Sequence, residues 1–131
     1  MMEETLCPRF EKAMGLLSTR WVGLILFELL KGTKRFSEME ADLPISGRLL
    51  SDRLKMLEKE GIVIRKVYSE FPVRIEYSLS EKGRALEPVI REIQSWADEY
   101  VTKEEVEQEQ AEKGHPGGGG ARPPPGLPEP G

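Results

Sequence analysis

The chain has 131 residues with one cysteine, Cys7, and one histidine, His115, and its 19 basic and 23 acidic side chains give a formal net charge of −4. That length supports one domain with a modest core. A lone cysteine excludes an intrachain disulfide, and one histidine near the C-terminal end leaves no Cys/His set for zinc and no imidazole base within the fold, so no metal, cofactor or enzymatic reaction is expected.

In chain order, Cys7 to Leu17 is predicted as a helix with Pro8 in its first turn, joined through Ser18, Thr19 and Arg20 to a second. Between Trp21 and Leu30, Val22, Ile25, Leu26 and Leu29 recur at helical spacing, which predicts a buried supporting helix ended by Lys31-Gly32. Phe36 to Leu43 reads as a short helix with Phe36, Met39 and Leu43 along one side, Ser37 as its N-cap and Glu40 completing a capping box. Pro44 disfavours helical geometry at Leu43, so the chain must turn there.

From Ser46 to Glu60 the spacing predicts a longer helix. Leu50, Leu54 and Leu57 fall at i, i+4 and i+7 and must be buried. At ~100° per residue Arg48, Asp52, Lys55 and Lys59 then face outward, with Ser51 and Arg53 towards the flanks. Ser46 is the expected N-cap and Gly61 the left-handed residue beyond the last turn. Ile62 to Tyr68 is rich in β-branched residues, and Arg74 to Leu79 alternates so that Ile75, Tyr77 and Leu79 share a face. Ser69 to Val73 makes the hairpin tip, where Pro72 suits a loop.

Ser80 is expected to cap a helix running to about Val101, in which Leu86, Val89, Ile90, Ile93, Trp96, Ala97 and Tyr100 recur at three and four. Pro88 should kink it near Arg84 to Glu87 or split it there. Residues 1–102 thus form the domain, and 103–131 a tail. The tail opens with a polar Glu/Gln run able to extend the helix briefly; beyond Gly114 glycine and proline dominate and disorder is expected. Gly117 to Gly120 lie among prolines and not between a strand and a helix, so they read as a linker and not as a phosphate cradle. No apolar run approaches the ~20 residues needed to span a bilayer, and no charged-then-apolar leader precedes the first helix, which makes the cytoplasm the expected location.

Helix, turn, helix and hairpin in that order predict an α+β, mostly α, winged helix-turn-helix flanked by terminal dimerisation helices, with double-stranded DNA as partner. The charge distribution agrees, because Lys31 to Arg74 holds ten basic and seven acidic residues whereas 103–131 holds three and six. Candidate base or near-base contacts are Arg48, Ser51, Asp52 and Arg53, with Ser46 at the helix start; candidate phosphate contacts are Lys55, Arg65, Lys66 and Arg74. Asp52 can accept from cytosine but repels the backbone, and Arg53 has an alternative in pairing with Glu38, Glu40 or Asp52. The apolar C-terminal helix either packs on its own domain or pairs with a second copy through Leu86, Val89, Ile90, Ile93, Trp96 and Tyr100. A two-fold dimer would place two reading helices ~34 Å apart on a pseudo-palindromic operator. The rival reading is a winged-helix adaptor that binds protein and not DNA.

Cys7-Pro8, Arg20-Trp21, Arg35-Phe36-Ser37-Glu38, Leu50-Ser51-Asp52-Arg53-Leu54, Leu57-Glu58, Gly61 and Arg74-Ile75-Glu76-Tyr77-Ser78-Leu79 with Gly83 together resemble the HxlR-type transcriptional regulators, a branch of the MarR-like winged-helix proteins. The resemblance covers roughly residues 6–101. It implies a homodimeric DNA-binding regulator that reads through the helix from Ser46. It also implies sensing of electrophiles or oxidants at Cys7, since several members of that family sense through a cysteine in this position. From the residues alone two readings of Cys7 stand. It is a reactive thiol at a helix start, favoured by the dipole and Arg9 and opposed by Glu3, Glu4 and Glu11, or it is a small apolar core residue.

Overall fold

Two helices supply half of the buried apolar side chains. Val22, Ile25, Leu26 and Leu29 line one side of α2 (Val22–Leu30), Leu50, Leu54 and Leu57 line one side of α4 (Gly47–Lys59), and all are buried. Fully burying a side chain of this kind contributes roughly 1.5–3 kcal/mol, so these stripes dominate the core. Met39 of α3 (Phe36–Asp42) and Ile45 of the following turn close it from one side. Ile62, Val63, Tyr77 and Leu79 close it from the wing, which consists of β2 (Val63–Tyr68) and β3 (Arg74–Leu79). The computed structural model describes residues 7–113; His115, Gly117 to Gly120 and the tail beyond Lys113 lie outside them.

The strands pair antiparallel, Val63 opposite Leu79 through Tyr68 opposite Arg74. Tyr77 and Leu79 are buried and Ile75 is half-buried, so the alternation sets the face as expected. A third strand, β1 (Lys34–Arg35), pairs with the other edge of β3 and leads directly into α3, giving the sheet order β1-β3-β2. Two residues are too few for a period-two pattern to show, which is why β1 is not visible in the sequence. Its presence also moves the start of α3. Arg35 is the N-cap, and its backbone N–H donates to Glu38 Oε1 at 2.7 Å; Ser37 and Glu40, expected in these roles, sit two residues further on. At α4 the expected cap holds, with Leu49 N–H donating to Ser46 Oγ at 3.2 Å, and Gly61 takes φ 78° past the last turn.

Pro88 divides the C-terminal helix. α5 (Glu81–Arg84) is capped by Ser80, whose hydroxyl accepts from Gly83 N–H at 3.0 Å, and α6 (Glu87–Tyr100) restarts with Pro88 in its first turn, where the missing N–H has no intrahelical role. Beyond Val101, α7 (Lys103–Lys113) is a separate helix and not a brief extension. Thr102 and Glu105 cap it reciprocally, at 3.0 and 3.2 Å. At the other end α1 (Pro8–Ser18) buries no residue fully; Leu16 and Leu17 pack against the core while Phe10 and Met14 are exposed. α1 meets α2 at 81° through a sharp turn in which Trp21 takes φ 77°, a strained value for a side chain of that size, with the Arg20 guanidinium 4.7 Å over its ring.

One carboxylate is buried in this framework. Glu28 of α2 is 3.2 Å from Lys31 and 3.3 Å from Lys34 of β1, and Lys34 also faces Asp42 at the end of α3 at 3.8 Å. The group ties the first helix of the helix-turn-helix to the supporting helix. Burial works to raise the Glu28 carboxyl, but Asp42, Lys31 and Lys34 outweigh it and hold the group below its ordinary value of 4.5. A depressed carboxylate contributes stability that is present above its unfolded value and lost as pH falls through the folded one. Melting temperature should therefore decline below about pH 4.5, and Glu28→Gln should flatten that acid limb; an identical acid limb in the variant would remove Glu28 from the account.

Candidate nucleic-acid interface

α4 is built so that one side is fixed and the other free. With its leucines inward, Arg48, Asp52, Lys55 and Lys59 are exposed and Ser51 is half-buried at the flank. Ser46 is half-buried and its hydroxyl is engaged as the cap, which makes it a positioning residue at the start of the helix. Arg53 turns back towards the protein, its Nε donating to the Arg20 carbonyl at 2.9 Å. This clamps α4 to the turn between α1 and α2, through a partner other than the three acids given as the alternative to a base contact. Lys12 adds a second tie from α1 to the end of α4, 3.3 Å from Glu60.

On the wing, Arg65 and Lys66 of β2 are exposed, Lys66 lying 5.2 Å from the centre of the Tyr68 ring. Arg74 is placed differently from the expectation of a free phosphate contact. It pairs with Glu70 at 2.8 Å and with Glu76, and its guanidinium stacks 3.8 Å over Tyr68, its cross-strand partner. The two carboxylates raise the Arg74 pKa, and hydrogen bonding to Arg74 lowers that of Glu70. The signals were present in the sequence as Glu70 and Arg74 at i, i+4 and as the hairpin register, but neither has weight until the strands are placed. The local cationic excess is thereby concentrated. Lys31, Lys34, Arg53 and Arg74 bind groups within the chain, while Arg48, Lys55, Lys59 and Arg65 form no ion pair among the described residues.

The six apolar residues expected at a dimer interface divide in two. Ile90 belongs to the chain's own core and the half-buried Leu86 packs against it. Val89, Ile93, Trp96 and Tyr100 face outward at 41, 56, 60 and 60% exposure, with the Trp96 and Tyr100 rings 5.4 Å apart. Pro88, Val89, Glu92, Ile93 and Trp96 line a shallow apolar depression there. Cys7 is exposed at the N-cap of α1, so the reading as a buried core residue does not hold. Among the described residues no three His, Cys, Asp or Glu side chains are grouped to hold a metal ion, and no single helix is long and apolar enough to cross a membrane.

The family model for the HxlR-like helix-turn-helix matches residues 16–105. The chain belongs to this family. Within the HxlR-like proteins it is 60% identical over 102 residues to the HTH-type transcriptional regulator YvaP of Bacillus subtilis, covering 77% of this chain and 94% of that one. Its fold matches the reduced form of the transcriptional regulator YodB from B. subtilis with a TM-score of 0.67 at 47% identity, over 74% of this chain and 96% of YodB. It matches the oxidized form of the redox regulator HypR with a TM-score of 0.68 at 36% identity, over 73% and 99% of the two chains. The HxlR-like chain described here is a helix-turn-helix transcriptional regulator of the winged, MarR-like kind.

Proposed function

We propose that this HxlR-like regulator binds double-stranded DNA as a homodimer at a pseudo-palindromic operator in the cytoplasm, with α4 in the major groove and with Cys7 as the point at which an oxidant or electrophile controls binding. The observation that carries the reading is the distribution of charge: Lys31, Lys34, Arg53 and Arg74 hold the fold together, while Arg48, Lys55 and Lys59 on the outer face of α4 and Arg65 on β2 form no ion pair among the described residues. A helix clamped through Arg53 and Lys12 presents Arg48 and Lys55 rigidly, as base-edge and phosphate recognition require. An exposed thiol at a helix start, in a chain similar to proteins described as a redox regulator and as a quinone-bound regulator, supports the control point. A lone thiol in each subunit can form a disulfide with its partner's copy or take up an electrophile.

Selection of bound genomic fragments by the purified protein, reduced and after mild oxidation, with Cys7→Ser in parallel, tests this. An enriched palindrome lost on oxidation only when Cys7 is present is the expected result; no enrichment in either state would favour a protein-binding adaptor. On the selected operator, Arg48→Ala should cost ~1–3 kcal/mol and relax preference at one base position. Lys66→Ala should instead weaken all sequences alike and reduce the salt slope by ~1. A Lys66 variant with an unchanged slope would remove that residue from the phosphate contacts.

A further inference from the structure

The five residues joining the wing strands, 69–73, carry the most exposed large hydrophobic side chain among the described residues. Phe71 stands fully in solvent and Val73 is 61% exposed, with Pro72 between them. Exposed apolar residues scattered singly are ordinary on protein surfaces. Here three in succession occupy the apex of a hairpin that follows α4 through the single turn at Gly61. Their electrostatic setting is equally specific. Glu70 adjoins Phe71 and would repel phosphates, but Arg74 neutralises it at 2.8 Å and is itself held against Tyr68 and Glu76. The apex is therefore apolar and close to neutral, while the exposed cations Arg65 and Lys66 lie further back along β2.

We infer that the wing reads DNA through shape, with Phe71 entering the minor groove beside the segment held by α4 and wedging against a base step. The inference rests on the DNA-binding reading above and adds a specificity-determining residue to it. An aromatic wedge partially unstacks the step it enters, and the cost is least at flexible pyrimidine–purine steps such as TA and CA. A neutral apex enters a groove walled by phosphates without the repulsion that an unpaired Glu70 would bring. Arg65 and Lys66 are left to the flanking phosphates. Arg74 acts as a positioning residue, since it silences Glu70 and fixes the strand pair below the tip.

The test uses the full chain and Phe71→Ala and Phe71→Leu variants, with duplexes that carry the wild-type operator core and randomised flanks. Affinity, salt slope and end-to-end fluorescence transfer across the duplex are measured. Phe71→Ala should lose about tenfold in affinity on duplexes with a TA or CA step under the wing, flatten the flank preference and reduce the bend. Its salt slope should match wild type, and Phe71→Leu should retain most of the effect. Phe71→Ala with an unaltered flank profile and bend would overturn the wedge. So would a loss that is uniform over flanks and accompanied by a shallower salt slope. Wild-type protein that binds no duplex would sink the DNA reading itself, an outcome distinct from wild-type binding with an indifferent Phe71.

Discussion

Gly83→Ala is expected to lower stability by about 3 kcal/mol, an overpacking effect at the upper end of the usual range. Gly83 is buried where α5 crosses the base of the wing, and a Cβ there would fall far inside contact distance of the Ile62 carbonyl oxygen, with Leu79 Cδ2 at 3.1 Å and Ile62 Cγ2 at 3.2 Å. The carbonyl cannot move aside cheaply. It accepts from Ser80 N–H at 2.9 Å and Ser80 Oγ at 3.1 Å, and the same hydroxyl caps α5. Relieving the clash would break the joint between β2, β3 and the C-terminal helices. Gly47→Ala is the natural comparison, because a Cβ there meets the end of the Glu40 side chain, which can swing away into solvent. Urea denaturation of both variants should separate them clearly. A Gly83→Ala midpoint within error of wild type would mean that the α5 joint is far softer than its hydrogen bonds imply.

The parts of the fold legible in the sequence are those governed by short-range rules. The α4 leucine stripe, the Ser46 cap, the β3 alternation and the break at Pro88 each depend on spacing or on one residue's backbone chemistry, and each is found in the structure. The misplaced or missed parts depend on partners distant in the chain. β1 exists because β3 offers it an edge, and it shifts the α3 cap from Ser37 to Arg35. Trp21 is left-handed because the angle between α1 and α2 demands it, a condition absent from local propensity. The same division runs through the candidate interface. Which side of α4 faces out follows from periodicity, whereas the fates of Arg53 and Arg74 were decided by a carbonyl in another turn and by a cross-strand tyrosine. Sequence reading counts cations, but the structure determines which of them remain available.

In the proposed dimer, Ile93→Asp, alone or with Trp96→Ala, is expected to yield a folded monomer that binds the proposed palindromic operator at least ~100-fold more weakly, through loss of the intramolecular second contact. An ordinary surface helix is apolar along one stripe. α6 is apolar over a wider band: Ile90 and Leu86 face inward, while Val89, Ile93, Trp96 and Tyr100 form a continuous stripe along the adjoining, solvent-facing side. Phe10 and Met14 of α1 extend the same imbalance at the other end of the chain, at 64% and 46% exposure. Pairing with a second copy would cover these surfaces and would set the separation of two α4 helices, which the palindrome reads as half-site spacing. Because Ile93 and Trp96 are more than half exposed within one chain, their replacement should leave thermal unfolding of the subunit intact. Ile90→Ala, in the core, should instead destabilise it by about 2–5 kcal/mol. Sedimentation equilibrium and titration of whole-operator and half-site duplexes distinguish the cases. Half-site affinity should be unchanged in the Ile93 variant while whole-operator affinity collapses towards it. A variant that remains dimeric would place the interface away from the α6 stripe, and a monomer with undiminished operator affinity would show that the two half-sites are read independently.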